Sequence, residues 1–188
     1  MDTLCKEAVE GKAAVACFYF DFATYEEQSP AAVLGSVLKQ IVAGLDEIPE
    51  RIVRAFRDRG EVISDQRLPL PEIAGSLLDI SSSRCTFICI DALDQCPSKH
   101  REELLDLLNQ ILRKSPGVRL FMTGRPHIRD EVERYLGGRV ATMIIMPTKN
   151  DITTFLRARL KEDTIPGAMD ESLEEEIVKN IPKMASEM

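Results

Sequence analysis

Residues 87–96 read FICIDALDQC. Four apolar residues, Phe87 to Ile90, run directly into Asp91, and a second carboxylate follows at Asp94. A short apolar run that ends on an acid is the pattern of a buried strand delivering a carboxylate to its own carboxyl end. The full strand reads RCTFICID (84–91), and three other runs share its character: AAVACFYFDF (13–22), VRLFMTG (118–124) and VATMIIM (140–146). Continuous runs, rather than strict alternation, suit a parallel sheet covered on both faces.

Helical patterns separate these runs. SPAAVLGSVLKQIVAGL offers Ser29 as N-cap and Pro30 at the first helical position, which satisfies one end of the helix in the usual way. Its Val33, Leu34, Val37, Leu38, Ile41, Val42 and Leu45 recur with helical spacing. IPERIVRAFRDRG and LPEIAGSLLDISSS read as two shorter helices. SKHREELLDLLNQILRK is the clearest helix, with Leu104, Leu105, Leu107, Leu108, Ile111 and Leu112 on its buried face. Its acids lie early and Arg113 and Lys114 late, the sense that the helix dipole favours, and SPG at 115–117 stops it. HIRDEVERYL follows as a short helix, then TKNDITTFLRARLKED and DESLEEEIVKNI with a break at IPG (165–167). Strands alternating with helices predict an α/β fold built on a parallel sheet, with a C-terminal helical extension. The predicted division is a core over 1–148 and a helical segment over 149–188.

Composition excludes several function classes. The chain has 188 residues, 44% hydrophobic and 29% charged, which is enough for one domain with a core. A net charge of -7 argues against nucleic acid as a partner. No apolar run approaches the roughly 20 residues of a membrane span, and the N-terminal MDTLCKEAVEGK has no apolar core of a signal peptide. Five cysteines without a secretion signal predict reduced thiols and a cytoplasmic setting. A zinc reading joining Cys96 to His100 lacks a second such pair, so buried structural thiols are preferred.

Ligands of open α/β sheets bind at the carboxyl ends of the strands. Three such ends carry polar groups: Asp21 on the first, Asp91 on the second, and Thr123, Arg125 and His127 on the third. A strand-end aspartate can hold Mg²⁺ through water, a second acid can orient or deprotonate a water, and an arginine can neutralise a terminal phosphate. The bland alternative is that Asp91 and Asp94 cap the next helix and Arg125 pairs with a local acid.

FICIDALDQC, a helix, and VRLFMTGRPHI together resemble the NACHT group of STAND-type P-loop NTPases. The likeness is to the fungal branch with nephrocystin-type N-terminal domains, often followed by ankyrin repeats. ACFYFDFATYEEQSPAAVLGSVLKQIV is similar to that group's second strand and helix, and TKNDITTFLRARL to the start of its lid. The resemblance implies an ASCE-like parallel core, here lacking its first strand. It implies that Asp91 is the Walker B acid serving Mg²⁺, that Asp94 is the acid involved in water activation, and that Arg125, after the hydroxyl of Thr123, is the sensor arginine. It also implies Mg²⁺ with ATP or GTP as cofactors of the intact family and slow hydrolysis as a signalling switch. Gln95 stands where the group usually has Glu, and Gly124 where it usually has Ser.

The phosphate loop of such proteins needs G-x-x-x-x-G-K-[ST]. The one Gly-Lys pair, Gly11-Lys12, is followed by Ala13 and has Lys6 where the first glycine belongs. By the resemblance, Met1 falls inside the helix after the loop, and IVKNIPKMASEM falls short of an apolar segment leading to a winged helix. The expectation is therefore a fragment of a nucleotide switch, inactive alone. Its alternative is a non-catalytic interaction module with protein partners or self-association. A metal-dependent hydrolase using Asp91 and Asp94 is a weaker third reading, because two acids without histidines leave a metal under-coordinated. Without its first strand, the core is expected to pair its last strand with the 118–124 strand, to set that last strand apart, or to leave apolar surface uncovered.

Overall fold

The structure is a computed structural model, described here over residues 13–21, 28–57, 68–162 and 170–185. Cys5, Gly11-Lys12 and the break at 165–167 lie outside the described residues. The chain divides into two compact units, Met1–Val140 and Ala141–Met188.

The first unit is α/β. Strand β1 (Ala13–Tyr19) leads through helices α1 (Pro30–Ala43), α2 (Glu50–Arg57) and α3 (Leu70–Ser83) to β2 (Cys85–Asp91). A one-turn helix over Leu93–Gln95 and the long α4 (Ser98–Lys114) connect β2 to β3 (Val118–Met122). A second one-turn helix, Pro126–Ile128, opens into α5 (Arg129–Leu136). The three strands form one parallel sheet in the order β1-β2-β3, with Cys17 opposite Cys89 and Cys89 opposite Phe121.

Strand side chains alternate between faces, and the core lies on one of them. Ala14, Ala16, Phe18 and Phe20 pack with Ile88, Ile90, Val118 and Leu120 against the apolar stripes of α1, α3 and α4. Val33, Leu34 and Val37 of α1, Leu77 of α3, and Leu104 and Leu105 of α4 are fully buried. The predicted caps of α1 form: Ser29 accepts a bond from the Ala32 N–H at 3.3 Å, with Pro30 opening the helix.

The opposite face departs from the expectation of a sheet covered on both sides. Cys89 is buried there, but Tyr19 and Phe121 are 62% and 61% exposed. The predicted fourth strand also does not form. Residues 141–148 belong to no helix or strand, and Met143, Ile144, Ile145 and Met146 are exposed. An apolar run becomes a strand only when a neighbour supplies hydrogen bonds, and no described strand adjoins this one. Local composition cannot report that.

The second unit contains α6 (Lys149–Glu162) and α7 (Glu171–Ala185), which pack on each other. Thr148 and Asp151 form a reciprocal cap at the start of α6. The Thr148 N–H and hydroxyl donate to Asp151 Oδ2 at 2.8 and 2.7 Å, and the Asp151 N–H donates back at 3.2 Å. These bonds, the hydroxyl's first, hold the Asp151 carboxyl below its usual value. Helix α7 continues through Pro182, past the end that the sequence pattern suggested.

Candidate functional site at the strand ends

Parallel pairing brings the carboxyl ends of β1, β2 and β3 side by side, so Asp91, Asp94, Thr123 and Arg125 fall in one neighbourhood. Asp91 is exposed at the end of β2. The Thr123 hydroxyl donates to Asp91 Oδ1 and accepts the Ala92 N–H at 3.0 Å. One hydroxyl thus fixes both the acid and the backbone that follows it. Backbone bonds tighten the same junction: Thr123 N–H donates to Ile90 O at 3.0 Å, and Leu93 N–H to Thr123 O at 2.9 Å.

Ala92 adopts a left-handed conformation, φ 54° and ψ 44°, the one non-glycine residue with positive φ among those described. This costs an alanine about 1–2 kcal/mol. It turns the chain sharply from β2 into the Leu93–Gln95 turn and directs Asp94 inward. The Asp94 side chain is 6% exposed. Its Oδ2 accepts from Gln95 Nε2 at 2.9 Å and faces Arg125 Nε at 3.4 Å, and its Oδ1 accepts the Arg125 backbone N–H at 3.2 Å. Arg125, by contrast, is 73% exposed. Among the described residues its guanidinium is engaged through Nε alone, which leaves both terminal nitrogens able to meet an anion.

The predicted constellation is therefore brought together, and the bland alternative for Arg125 also holds in part, since it pairs with Asp94. The two acids play different structural parts: Asp91 faces solvent, while Asp94 is turned inward and holds Arg125. Asp21 lies just beyond β1, where its backbone N–H and C=O are held by the Gln28 side chain at 3.2 and 3.0 Å. His127 is exposed on the turn after Arg125. Among the described residues no group of three or more His, Cys, Asp or Glu side chains could hold a metal ion. A hydrated Mg²⁺ fits Asp91 only when phosphate oxygens and waters complete its shell.

A cavity of about 150 Å³ adjoins Asp91, lined by Tyr19, Cys89, Ile90, Asp91, Phe121 and Thr123. It is well below the roughly 300–1,000 Å³ of a typical small-molecule site, and its lining is mostly apolar. The lining missed by sequence reasoning is Tyr19, Cys89 and Phe121. Cys89 and Phe121 stand two residues before Asp91 and Thr123, which places each pair on one face, and the register sets Tyr19 opposite Asp91.

The profile of the nephrocystin 3 N-terminal family matches residues 1–125, about two-thirds of the chain. The chain belongs to this family. The match spans β1 to β3 and ends at Arg125, so the nephrocystin-type region contains the whole strand-end cluster. No curated protein and no solved structure shows significant similarity. Among the described residues of this nephrocystin-type chain, no helix is long and apolar enough to cross a membrane.

Proposed function

We propose that the strand-end cluster is the Mg²⁺- and terminal-phosphate-sensing part of a nucleotide-dependent signalling switch of the NACHT/STAND P-loop type. The observation that carries this reading is the coupling across two strand ends. Asp91 is bonded to Thr123, and two residues later Arg125 rests on Asp94. Asp91 would hold hydrated Mg²⁺ of an ATP or GTP complex through water. Thr123 keeps that carboxylate oriented by donating to one oxygen and leaving the other toward solvent. Arg125 offers its free nitrogens to the terminal phosphate. Its tie to Asp94 lets the phosphate's arrival be felt at the acid the resemblance assigns to water activation. The outer edge of β3, which no described strand pairs, is where a loop-bearing strand would pair, completing the phosphate contacts that Asp91 and Arg125 cannot supply. On this reading 149–188 begins the lid, and the described chain alone does not sustain turnover.

A titration of the 188-residue chain with a fluorescent ATP analogue, with and without Mg²⁺, tests the proposal. Saturable binding that requires Mg²⁺ and is lost in Asp91→Ala is the expected result for a surviving site. No binding at millimolar nucleotide by a folded chain would reject a nucleotide site in this polypeptide. That outcome would favour the second reading, a non-catalytic interaction module. The exposed Tyr19, Phe121 and 143–146 side chains are the specific observation behind it.

A further inference from the structure

The exposed face of the sheet carries three cysteines, and two of them stand opposite each other. Cys17 of β1 and Cys89 of β2 are in-register partners in adjacent parallel strands. Parallel in-register partners project from the same face. Adjacent strands lie about 4.8 Å apart, within the roughly 4.4–6.8 Å Cα separation that a disulfide spans. Cys17 is half-buried and Cys89 lines the cavity beside Asp91, so small solutes have a route to the pair. The phenol of Tyr19, two residues beyond Cys17, is pushed above its ordinary value by Cys17 first, with smaller effects from burial, Asp91 and Cys89.

We propose that Cys17 and Cys89 form a redox-sensitive dithiol, a modification site for small hydroperoxide oxidants on this face of the sheet. The thiolate of one cysteine attacks a peroxide oxygen, the O–O bond breaks, and a sulfenic acid and one water form. The second thiol attacks the sulfenic sulfur, the S–O bond breaks, and a second water leaves. In total the two thiols lose two electrons and two protons, and one hydrogen peroxide becomes two waters. In-register parallel partners hold their Cβ atoms about as far apart as the strands, roughly 4.8 Å, beyond the roughly 3.5–4.5 Å of a relaxed bridge, so closing the bond draws the strands together locally and the strain makes it readily reducible.

The other described cysteines lack this arrangement. Cys85 shares the face and is exposed, but its partner on β1 is Ala13. Cys96 is 2% exposed, and burial pushes its thiol up to about 11, which keeps it protonated and unreactive. The inference does not rest on the nucleotide reading, and its test reads thiol chemistry alone.

The folded full-length chain is exposed to hydrogen peroxide, quenched with an alkylating reagent, and digested without reduction. Peptide mass spectrometry with fragmentation then locates any linkage. The expected product joins Cys17 to Cys89, is two hydrogens lighter than the separate peptides, and disappears on reduction. It persists in Cys85→Ser and is lost in Cys17→Ser. Three results would overturn the proposal: linkage through Cys85 or Cys96, oxidation of Cys17 and Cys89 singly without a link, or a link seen only after the chain is denatured. The wild-type and Cys85→Ser results decide the matter even where Cys17→Ser prevents folding.

Discussion

At Ala92 the backbone adopts a conformation that an alanine resists, and the surrounding bonds hold it there. The Ala92 N–H is taken by the Thr123 hydroxyl and its C=O by the Gln95 N–H at 2.9 Å. Thr123 is thus the residue on which the junction depends. Replacing it with valine keeps the shape but removes both bonds, leaving a half-buried N–H unsatisfied. Thr123→Val is expected to lower stability by about 1–3 kcal/mol, checked by urea unfolding; a loss below a few tenths would show that water replaces the hydroxyl. Gly124, where the resemblance leads one to expect serine, has its own reason. A Cβ built there would lie 2.7 Å from Ile128 Cδ1, and Ile128 is a core residue. The close approach of the Ile128 side chain to the Gly124 backbone therefore suits glycine.

Among elements, the joint between α4 and α5 rests on a charge that the apolar pattern of α4 concealed. Arg101 is 7% exposed within a helix face otherwise made of leucine and isoleucine. Its Nε and Nη2 donate to Glu131 Oε2 at 2.9 and 2.7 Å, and its Nη1 to Cys96 O at 2.7 Å. Removing one partner of a buried pair strands the other's charge. Arg101→Ala is accordingly expected to cost about 3–5 kcal/mol, read by chemical unfolding. An equally large loss in the double variant Arg101→Ala/Glu131→Ala would show that packing, not the stranded carboxylate, is the cause. The sheet edges are treated unequally at this scale too. The Gln40 side chain of α1 caps the outer edge of β1, accepting from the Cys17 N–H at 3.0 Å and donating to its C=O at 2.8 Å. On β3, Thr123 bonds back to β2, so alternation turns the backbone groups of Leu120 and Met122 outward, and no described strand pairs with them.

For the molecule as a whole, an open edge and exposed apolar side chains favour association. The run 140–146 carries no charge and no proline, the composition that pairs edge to edge most readily. Ile145 is 82% exposed, so a lysine there removes apolar surface without disturbing a core. The chain is expected to show concentration-dependent self-association by light scattering, and Ile145→Lys to shift it toward monomer. A wild-type chain that stays monomeric at high concentration would contradict this. The remaining surface is ordinary, with ion pairs such as Arg54–Glu50 and Arg129–Glu133 exposed on both sides and worth little individually.

Three strands, the parallel alternation of strand and helix, the Ser29–Pro30 helix start and the acid at the end of β2 were all legible in the sequence. These follow from local rules: apolar runs, turn residues and caps act over a few positions and need no distant partner. The position of Asp91 beside Thr123 was also foreseeable, because both end strands of a predicted parallel sheet. What only the tertiary structure decided depends on what lies across a gap in sequence. It turned Asp94 inward onto Arg125 through the left-handed Ala92, buried Arg101 against Glu131 thirty residues away, and set Cys17 opposite Cys89 by register. It also left 140–146 unpaired. That run has the composition of a strand, but hydrogen-bond pairing is a property of two segments, and one segment's sequence cannot supply the other.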